Sequence, residues 1–592
     1  AIAHELTRSI LIAQGVETAW IQEGVAAFEM DRLRPLGTHR GSARREDVVR
    51  DALTQHRKLN WEDLSSVDGL ADEDLEVARA QSWSLVETIV DDHGLAGLRR
   101  FIAEAAGSYD LSSNLQAALD VTPDDFLDAW RQEARVLSVP AGLAVLAKRF
   151  DVDRAMEHVG ILASPELGGR EAGSSEAEKA AMYVAEQFSS LGLEPVGDWL
   201  TGTTSITGTA ALTEGHSYFQ RVPISYTHLF TSPTLTALEC DDDDDRALVY
   251  RRDFIEVSGG GSAEGQLVWV PASDLEGLRF GGSVVLDGTT EDPAERAQEL
   301  ETRGASGLIV VGDREAEELR TARGYEGGGG RTSAIPIFEI TPVALDALLD
   351  QLGMSRDDLT STPPALPLRR CVRMTLPRTP LTSTTTVNVL GVVRGSDPTL
   401  ANELLVVGAH YDHIGKLPNG GYFPGANQNG SGVAAMLEVA RVWRAAGYRP
   451  ARSVLFAAWG AEEQGSAGVA RYLQDPAMPL TRTVGVISLD SIADGGGYRL
   501  WFRGDRDKDL PLTYRFEVSA SQLDREAWRR GSTDQGWHAL FSREGLPTVK
   551  LTWADSQELA YRLTDTLGAL DPERLANSGE ILTLGLSWLA GR

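Results

Sequence analysis

The sequence predicts an α/β fold: a mostly parallel sheet covered by helices on both faces, with an inserted β-rich segment and an all-α region before it. Three observations favour this class. After about residue 385, short runs of buried-type residues alternate with helical segments, which is typical of a parallel sheet. Between about 200 and 384, short apolar runs alternate with glycine clusters, which indicates strands and turns. The first 140 or so residues are mostly helical in pattern.

The chain is too long for a single domain, at 592 residues. We expect a helical domain over 1–140 and an inserted domain over 201–384. The main α/β domain combines 145–200 with 385–592, so the inserted segment interrupts it.

Helix starts and ends are visible at several points. Thr122 followed by Pro123 is a typical helix start, because Thr caps the first turn and Pro tolerates its first position. Apolar residues of 180–191 lie on one helical face, and Gly192 follows as a stop signal. A third helix is predicted to begin near Pro293.

The strands are predicted from short apolar runs bounded by turn residues. The run from Asp241 to Asp245 is predicted to be a solvated loop, with a calcium site as the alternative. In chain order the predicted strands are 266–270, 283–286, 308–311, 404–407, 453–457, 484–487 and 548–551.

Composition excludes some functions. A net charge of −30 argues against nucleic-acid binding, which needs a basic surface. No apolar run is long enough to cross a bilayer, so no membrane span is expected. An acidic chain with little Lys suits an extracellular or cell-envelope location, but a GC-rich genome produces the same bias towards Arg. No signal peptide is visible, and we expect further residues upstream because the chain opens inside a motif.

The chain has two cysteines, Cys240 and Cys371. Neither belongs to a CxxC pair, so a cysteine zinc site is excluded. They flank the inserted segment, whose ends are expected to lie close together, and a disulfide between them is predicted. Two buried free thiols are the alternative.

Potential metal ligands follow three successive strands of the main sheet. His410 and Asp412 follow the first, Glu462 and Glu463 the second, and Asp490 the third. Open α/β sheets bind ligands at this edge. A His with an Asp two residues later suits a metal ligand and the carboxylate that orients it. Paired carboxylates suit one metal ligand and one general base.

These segments resemble the zinc aminopeptidase family (metallopeptidase family 28), which includes leucyl aminopeptidases, glutamate carboxypeptidase and the transferrin receptor ectodomain. The resemblance covers roughly 145–200 and 385–592. The inserted segment resembles the protease-associated domain, through 284–287, 304–307 and 335–337. The main resemblance is carried by 167–170, 408–413, 425–432, 461–465, 488–490, 541–547 and 561–566.

The resemblance implies two zinc ions that share one bridging Asp and a water. His410 matches the His ligand of one zinc, and Asp490 matches its carboxylate ligand. Glu463 matches the carboxylate ligand of the other zinc. Glu462 matches the general base, and Asp412 is expected to orient His410.

Two expected ligand positions, and one further position, depart from the family pattern. Gln428 stands where the bridging Asp is expected, and an amide supplies no bridging negative charge. Arg562 stands in the Tyr-His-x-x-x-Asp-Thr segment where we expect the second zinc's His, and a guanidinium has no lone pair to donate. Trp537 also replaces an expected Asp, although His538 keeps its place. We therefore predict a metal-free pocket in which Arg562 forms a salt bridge with at least one retained carboxylate.

A second, weaker constellation lies at the start of the chain. His4-Glu5-Leu6-Thr7-Arg8 resembles the HExxH zinc helix, and the Trp-x-x-Glu-Gly segment that contains Glu23 resembles its partner helix. The region thus resembles the helical half of a thermolysin-like peptidase (a gluzincin). Arg8 replaces the second His, so only His4 and Glu23 remain and no zinc is expected there. An ordinary amphipathic helix is the alternative.

Two functions remain open from the sequence. The first is a pseudopeptidase with a binding or structural role, without a metal at full occupancy, whose partner is a peptide or protein. The alternative is an active zinc-dependent exopeptidase that uses a single-metal site of His410 and Asp490 with Glu463 or His538. The loss of ligands at two separate sites favours the first. The inserted segment is expected to be a lid or docking surface.

Overall fold

A computed structural model describes most of the chain. The described residues are 2–33, 48–49, 64, 70–108, 110–134, 141–200, 215–226, 229, 231–239, 242–270, 275–288, 292–314, 316, 319, 333–360, 365–378, 382–495, 499–504, 509–531, 536–554, 556 and 561–591.

The predicted helices are present. The helix that follows Thr122 is capped as expected, since the Asp125 N–H donates to the Thr122 hydroxyl at 3.2 Å. Gly192 lies just beyond another helix with a φ of 75°, a conformation that favours glycine. The helices are Ile2–Ala13, Ala19–Leu33, Asp72–Ala105, Leu111–Leu119, Pro123–Ala134, Ala141–Ala147, Val152–Leu162, Ser175–Ser190, Pro293–Thr302, Pro342–Asp350, Arg356–Thr360, Gly432–Ala446, Ala467–Gln474, Leu510–Gln522, His538–Arg543 and Pro572–Ala590.

Each predicted strand also appears in the structure. The strands are β1 (Glu194–Pro195), β2 (Trp199–Leu200), β3 (Gly215–His216), β4 (Phe219–Tyr226), β5 (Thr234–Glu239), β6 (Asp242–Leu248), β7 (Phe254–Ser258), β8 (Gly261–Val270), β9 (Val284–Asp287), β10 (Gly307–Val311), β11 (Ile337–Ile340), β12 (Leu366–Leu376), β13 (Thr382–Val393), β14 (Leu404–His410), β15 (Ser453–Trp459), β16 (Thr483–Leu489), β17 (Leu500–Arg503), β18 (Ala527–Arg530) and β19 (Thr548–Trp553).

The larger sheet has four parallel central strands. β14 pairs in parallel with β15 and β16, and β16 pairs in parallel with β19. Antiparallel strands flank this centre, β13 beside β15 and β17 beside β19. β4 pairs with β13, so residues 219–226 join this sheet although the sequence placed them in the inserted segment. The strand order is β1-β13-β15-β14-β16-β19-β17-β18.

The second sheet has the order β6-β5-β12-β8-β9-β10-β11-β7. The loop predicted for Asp241 to Asp245 is wrong from Asp242 onward, because β6 begins there and pairs with β5. A run of charges predicts solvent exposure, and an edge strand satisfies that as well as a loop does. Cys371 on β12 stands opposite Leu238. Cys371 is disulfide-bonded, as predicted, and not a free thiol. Its predicted partner, Cys240, lies outside the described residues.

One continuous apolar core joins the N-terminal helices to the larger sheet. It extends from Leu11 and Trp20 to Leu582 on the last helix. Each fully buried large apolar side chain contributes roughly 1.5–3 kcal/mol, so this core holds the sheet edge in place. The inserted segment touches the region of the candidate site, where the Arg251 guanidinium lies 5.9 Å from the Phe423 ring centre. Within the described residues, no helix combines the length and apolar character needed to cross a membrane.

Candidate functional site

The predicted ligands meet at the carboxyl ends of three neighbouring strands. His410 is the last residue of β14. Glu462 and Glu463 follow β15, and Asp490 follows β16. Because these strands are parallel neighbours, their ends converge on one edge of the sheet.

Asp412 organises the turn that carries the paired glutamates. Its buried carboxylate accepts the backbone N–H of Glu462 at 3.1 Å and that of Glu463 at 3.2 Å. The same carboxylate lies 3.8 Å from His410 Nδ1. Burial raises the pKa of Asp412 to about 6, although His410 and the two N–H donors lower it. Asp412 therefore fixes Glu462 and Glu463 relative to His410.

His410, Glu462 and Glu463 form a compact group. One potential ligand atom from each lies within 4.8 Å of the others. Burial alone would lower the pKa of His410, but the surrounding carboxylates, Glu462 first, offset burial and raise it. Burial raises the pKa of Glu462 to about 7 despite the opposing effect of His410. A single cation fits among these three side chains.

Lys550 forms an ion pair with Asp490, the carboxylate that follows β16. Its Nζ lies 2.5 Å from Asp490 Oδ2, and both residues are buried. Burial alone would raise the pKa of Asp490, but Lys550, with His410, lowers it to about 2. The contact of Lys550 with Asp490 was not predicted from the sequence. The available signal was a single Lys in Thr548–Trp553, a strand whose residues are all buried.

The backbone of Gln428 is hydrogen-bonded to Asp565, and its side chain contacts Tyr561. The backbone N–H groups of Asn427 and Gln428 donate to the Asp565 carboxylate at 2.7 and 3.0 Å. The Gln428 side-chain amide lies 3.4 Å from the Tyr561 hydroxyl. The Tyr561 ring stacks on His413 with centroids 6.0 Å apart and planes 8° apart. The side chain that meets Gln428 is thus Tyr561.

The prediction of a salt bridge from Arg562 is wrong. In the part of the chain that the structure describes, Arg562 forms no ion pair with Glu462, Glu463 or Asp490, whereas Lys550 does. The number of residues between the aromatic residue and the Asp of this segment explains the difference. In Tyr-His-x-x-x-Asp-Thr the His lies four residues before the Asp, and the residue four before Asp565 is Tyr561.

Two buried residues, His413 and Arg170, position the side chains and loops of the site. The His413 Nδ1 lies 3.1 Å from Glu463 Oε1. The fully buried Arg170 guanidinium donates to the backbone carbonyls of Tyr411 at 2.6 Å and Pro424 at 2.8 Å. Arg170 therefore ties the loop after β14 to the loop that leads to Gln428. The sequence showed Arg170 only as part of a family segment, and no spacing rule assigned it this position.

Residues 388–584 match the family model described as peptidase family M28. This segment belongs to peptidase family M28. The matched residues contain every ligand candidate of the main site, from His410 to Asp490, together with Gln428 and Tyr561.

The chain is similar in sequence and in structure to proteins that are named as aminopeptidases. Aminopeptidase YwaD of Bacillus subtilis (strain 168) is 24% identical over 440 residues, which are 71% of this chain and 81% of YwaD. The solved aminopeptidase from Aneurinibacillus sp. strain AM-1 has a TM-score of 0.55 at 20% identity, covering 76% of this chain and 95% of its own. BSAP, a zinc aminopeptidase from Bacillus subtilis, has a TM-score of 0.52 at 18% identity, covering 74% and 94%. The structural likeness shows a shared fold.

Zinc fits one part of the M28 site and does not fit the rest. His410, Glu462 and Glu463 supply one imidazole and two carboxylates, which is a suitable donor set for one ion. Asp490 is already neutralised by Lys550. Gln428 supplies no negative charge for a bridge between two ions. The described residues therefore do not form a two-zinc centre.

The N-terminal constellation contains an internal ion-pair cluster. Glu23 is buried, and its two carboxylate oxygens lie 3.4 Å from Arg8 Nε and 3.3 Å from Arg79 Nε. His4 and Glu5 belong to the first helix, but their side chains lie outside the part that the structure describes. The carboxylate that a metal would need is thus engaged by two guanidinium groups.

Proposed function

We propose that this chain is a non-catalytic member of peptidase family M28, which keeps the aminopeptidase fold as a peptide-binding or structural unit. A protein of this kind needs no metal at full occupancy and acts outside the cytoplasm, extracellularly or in the cell envelope. Its partner is a peptide or protein, not nucleic acid.

The observation that carries this proposal is the pairing of Lys550 with Asp490. The ammonium group lies 2.5 Å from the carboxylate in a buried site. A cation of the chain therefore neutralises a ligand that matches the family's zinc carboxylate, and a metal ion there would face direct repulsion. Displacing Lys550 would also leave a buried ammonium without its partner, which is costly.

The positions of Gln428 and Tyr561 add independent support. A neutral amide and a phenol meet where the family pattern requires a bridging carboxylate and a histidine. Neither side chain is a strong zinc ligand at neutral pH. Glu463 is instead contacted by His413, whose Nδ1 lies 3.1 Å away.

A single-metal exopeptidase is the second candidate. It is favoured by the grouping of His410, Glu462 and Glu463 within 4.8 Å. Burial raises the pKa of Glu462 to about 7, a value suited to a general base at neutral pH. Against it, Glu462 would have to serve both as the third ligand and as the base.

Hydrolysis of aminoacyl 4-nitroanilides separates the two candidates. Wild type and Glu462→Gln are compared with and without added zinc, because the substitution removes the only proposed base and preserves size. The non-catalytic proposal predicts the same background rate for both proteins in all conditions. Zinc-dependent hydrolysis by wild type that Glu462→Gln abolishes would establish the single-metal enzyme.

A further inference from the structure

A row of three cations crosses the sheet beside the M28 site. Lys550 on β19 stands opposite Arg503 on β17, and Arg503 stands opposite Arg530 on β18. Residues that oppose one another in a sheet project from the same face. The row therefore begins at the Lys550–Asp490 pair and ends at β18, the last strand of the sheet.

Two tryptophans form the neighbouring row on this face. Trp501 and Trp528 stand opposite one another. The Arg503 guanidinium lies 4.6 Å from the Trp501 ring centre, and Arg530 lies 5.4 Å from Trp501 and 5.5 Å from Trp528. Arg499 lies 3.2 Å from the Trp528 ring centre. Stacking on the rings holds these guanidinium groups in fixed orientations.

Arg499 pairs with Glu526 at 3.8 Å, but the other two arginines of this face have no such partner among the described residues. Among the described residues, neither Arg503 nor Arg530 takes part in an ion pair, while Arg529, on the opposite face, pairs with Glu517 at 2.5 Å. Burial lowers the pKa of Arg503, and the charge of Arg530 lowers it further. Unpaired arginines held side by side are unusual in a chain with a net charge of −30.

We propose that this arginine–tryptophan face, formed by Arg499, Trp501, Arg503, Trp528 and Arg530, binds an acidic segment of a peptide partner. Oriented guanidinium groups match carboxylates with paired hydrogen bonds. Binding such a segment would relieve the repulsion between Arg503 and Arg530. The inference does not depend on whether the neighbouring centre is catalytic.

A nucleic-acid ligand fits this face less well than an acidic peptide. The excess negative charge of the chain repels a polyphosphate backbone. Single-stranded nucleic acids also bind by stacking bases on open aromatic rings. The rings here are covered by guanidinium groups, and Trp528 is only 5% exposed.

The geometry also fixes where the acidic residues should lie in a peptide that enters the site. Neighbouring strands lie ~4.8 Å apart, so Arg530 lies about 10 Å from the strand that carries Lys550. An extended peptide covers that distance in about three residues. A peptide whose first residue lies beside Lys550 therefore brings its third to fifth residues to the arginines.

The test uses fluorescence anisotropy of two dye-labelled hexapeptides with a free amino terminus. One carries Glu at positions three to five, and the other carries Gln there. Binding is measured for wild type, Arg503→Gln, Arg530→Gln and the matched control Arg529→Gln, with thermal melts to show that each variant is folded. Arg529→Gln removes the same charge from the same strand but from the other face.

We expect the Glu peptide to bind wild type about tenfold or more tightly than the Gln peptide at low salt. Arg503→Gln and Arg530→Gln should each reduce that affinity about fivefold or more, and Arg529→Gln should change it less than about twofold. Equal binding of the two peptides would overturn the proposal, as would no binding of the Glu peptide. Tighter binding of a labelled oligothymidylate than of the Glu peptide would overturn it in favour of a nucleic-acid ligand.

Discussion

Lys550 reaches Asp490 from the neighbouring parallel strand, with its Nζ 2.5 Å from Asp490 Oδ2. Asp490 is the residue that the resemblance to the M28 family predicts as a zinc ligand, and in this structure its carboxylate is paired with an ammonium group of the chain. Under the proposed function, the charge of Asp490 is balanced by Lys550 whether or not a metal is available. This pairing also makes Lys550 part of the stability of the folded state.

Replacing Lys550 by Met should destabilise the protein by about 3 kcal/mol, because Asp490 would remain buried without its cation. The free energy of unfolding in urea measures this loss. Zinc should raise the melting temperature of the variant and leave wild type unchanged, since the ion can replace the missing charge. Lys148→Met is the matched control: Lys148 pairs with Glu580 at 2.6 Å but is half exposed, so the loss should be under about 1 kcal/mol. Equal losses for both variants would contradict this account of Lys550.

Rebuilding the second metal position requires Tyr561, not Arg562. Gln428→Asp with Tyr561→His supplies a carboxylate and, beside His413, an imidazole, and should raise zinc affinity above wild type by about 100-fold. Gln428→Asp with Arg562→His is the matched control and should gain much less, because Tyr561 still stands between residue 428 and His413. Zinc titration calorimetry gives both values. Tighter zinc binding by the Gln428→Asp, Arg562→His variant would show that position 562, not 561, corresponds to the histidine ligand of the family.

The sequence indicated which residues meet at one edge of the sheet because the signals for them are local. His410 ends one buried strand, Glu463 and Asp490 follow two others, and parallel strands end at a common edge. What it could not predict depends on contacts between distant segments. Lys550 belongs to a strand of buried residues and meets Asp490 only through strand pairing. Tyr561 takes the ligand's place because the segment is one residue shorter than the family pattern.

Glu171 should make stability depend on pH. It lies in a backbone bridge with His413, and burial, with the charge of Glu176, raises its pKa to about 7. The folded state therefore holds a proton that the unfolded state releases between about pH 4.5 and pH 7, so this contribution to stability is lost as the pH rises through that window. Glu171→Gln should be more stable than wild type by about 2 kcal/mol at pH 8 and by clearly less at pH 5. Urea unfolding at both pH values measures the difference, and a gap that does not change with pH would show that Glu171 is ionised in the folded protein.

The ion pairs of Glu23 should behave as a coupled unit. Arg8→Ala and Arg79→Ala should each cost under about 1 kcal/mol, because the other guanidinium still faces the buried carboxylate. The double variant should cost about 1 kcal/mol more than the sum of the singles, since neither of the two arginines is left to compensate for the loss of the other. A double-mutant cycle on the free energy of unfolding provides the test. Strict additivity would mean that the two arginines do not share Glu23 in solution.

The zinc content of the unmodified protein tests the central claim most directly. The protein is equilibrated with excess zinc, dialysed against metal-free buffer and measured by plasma mass spectrometry. The account predicts well under one zinc per chain, because Lys550 neutralises Asp490, Gln428 cannot bridge two ions and His413 engages Glu463. One or two zinc ions per chain, removed by a chelator and lost in Glu463→Gln, would contradict it and identify the site as a working metal centre.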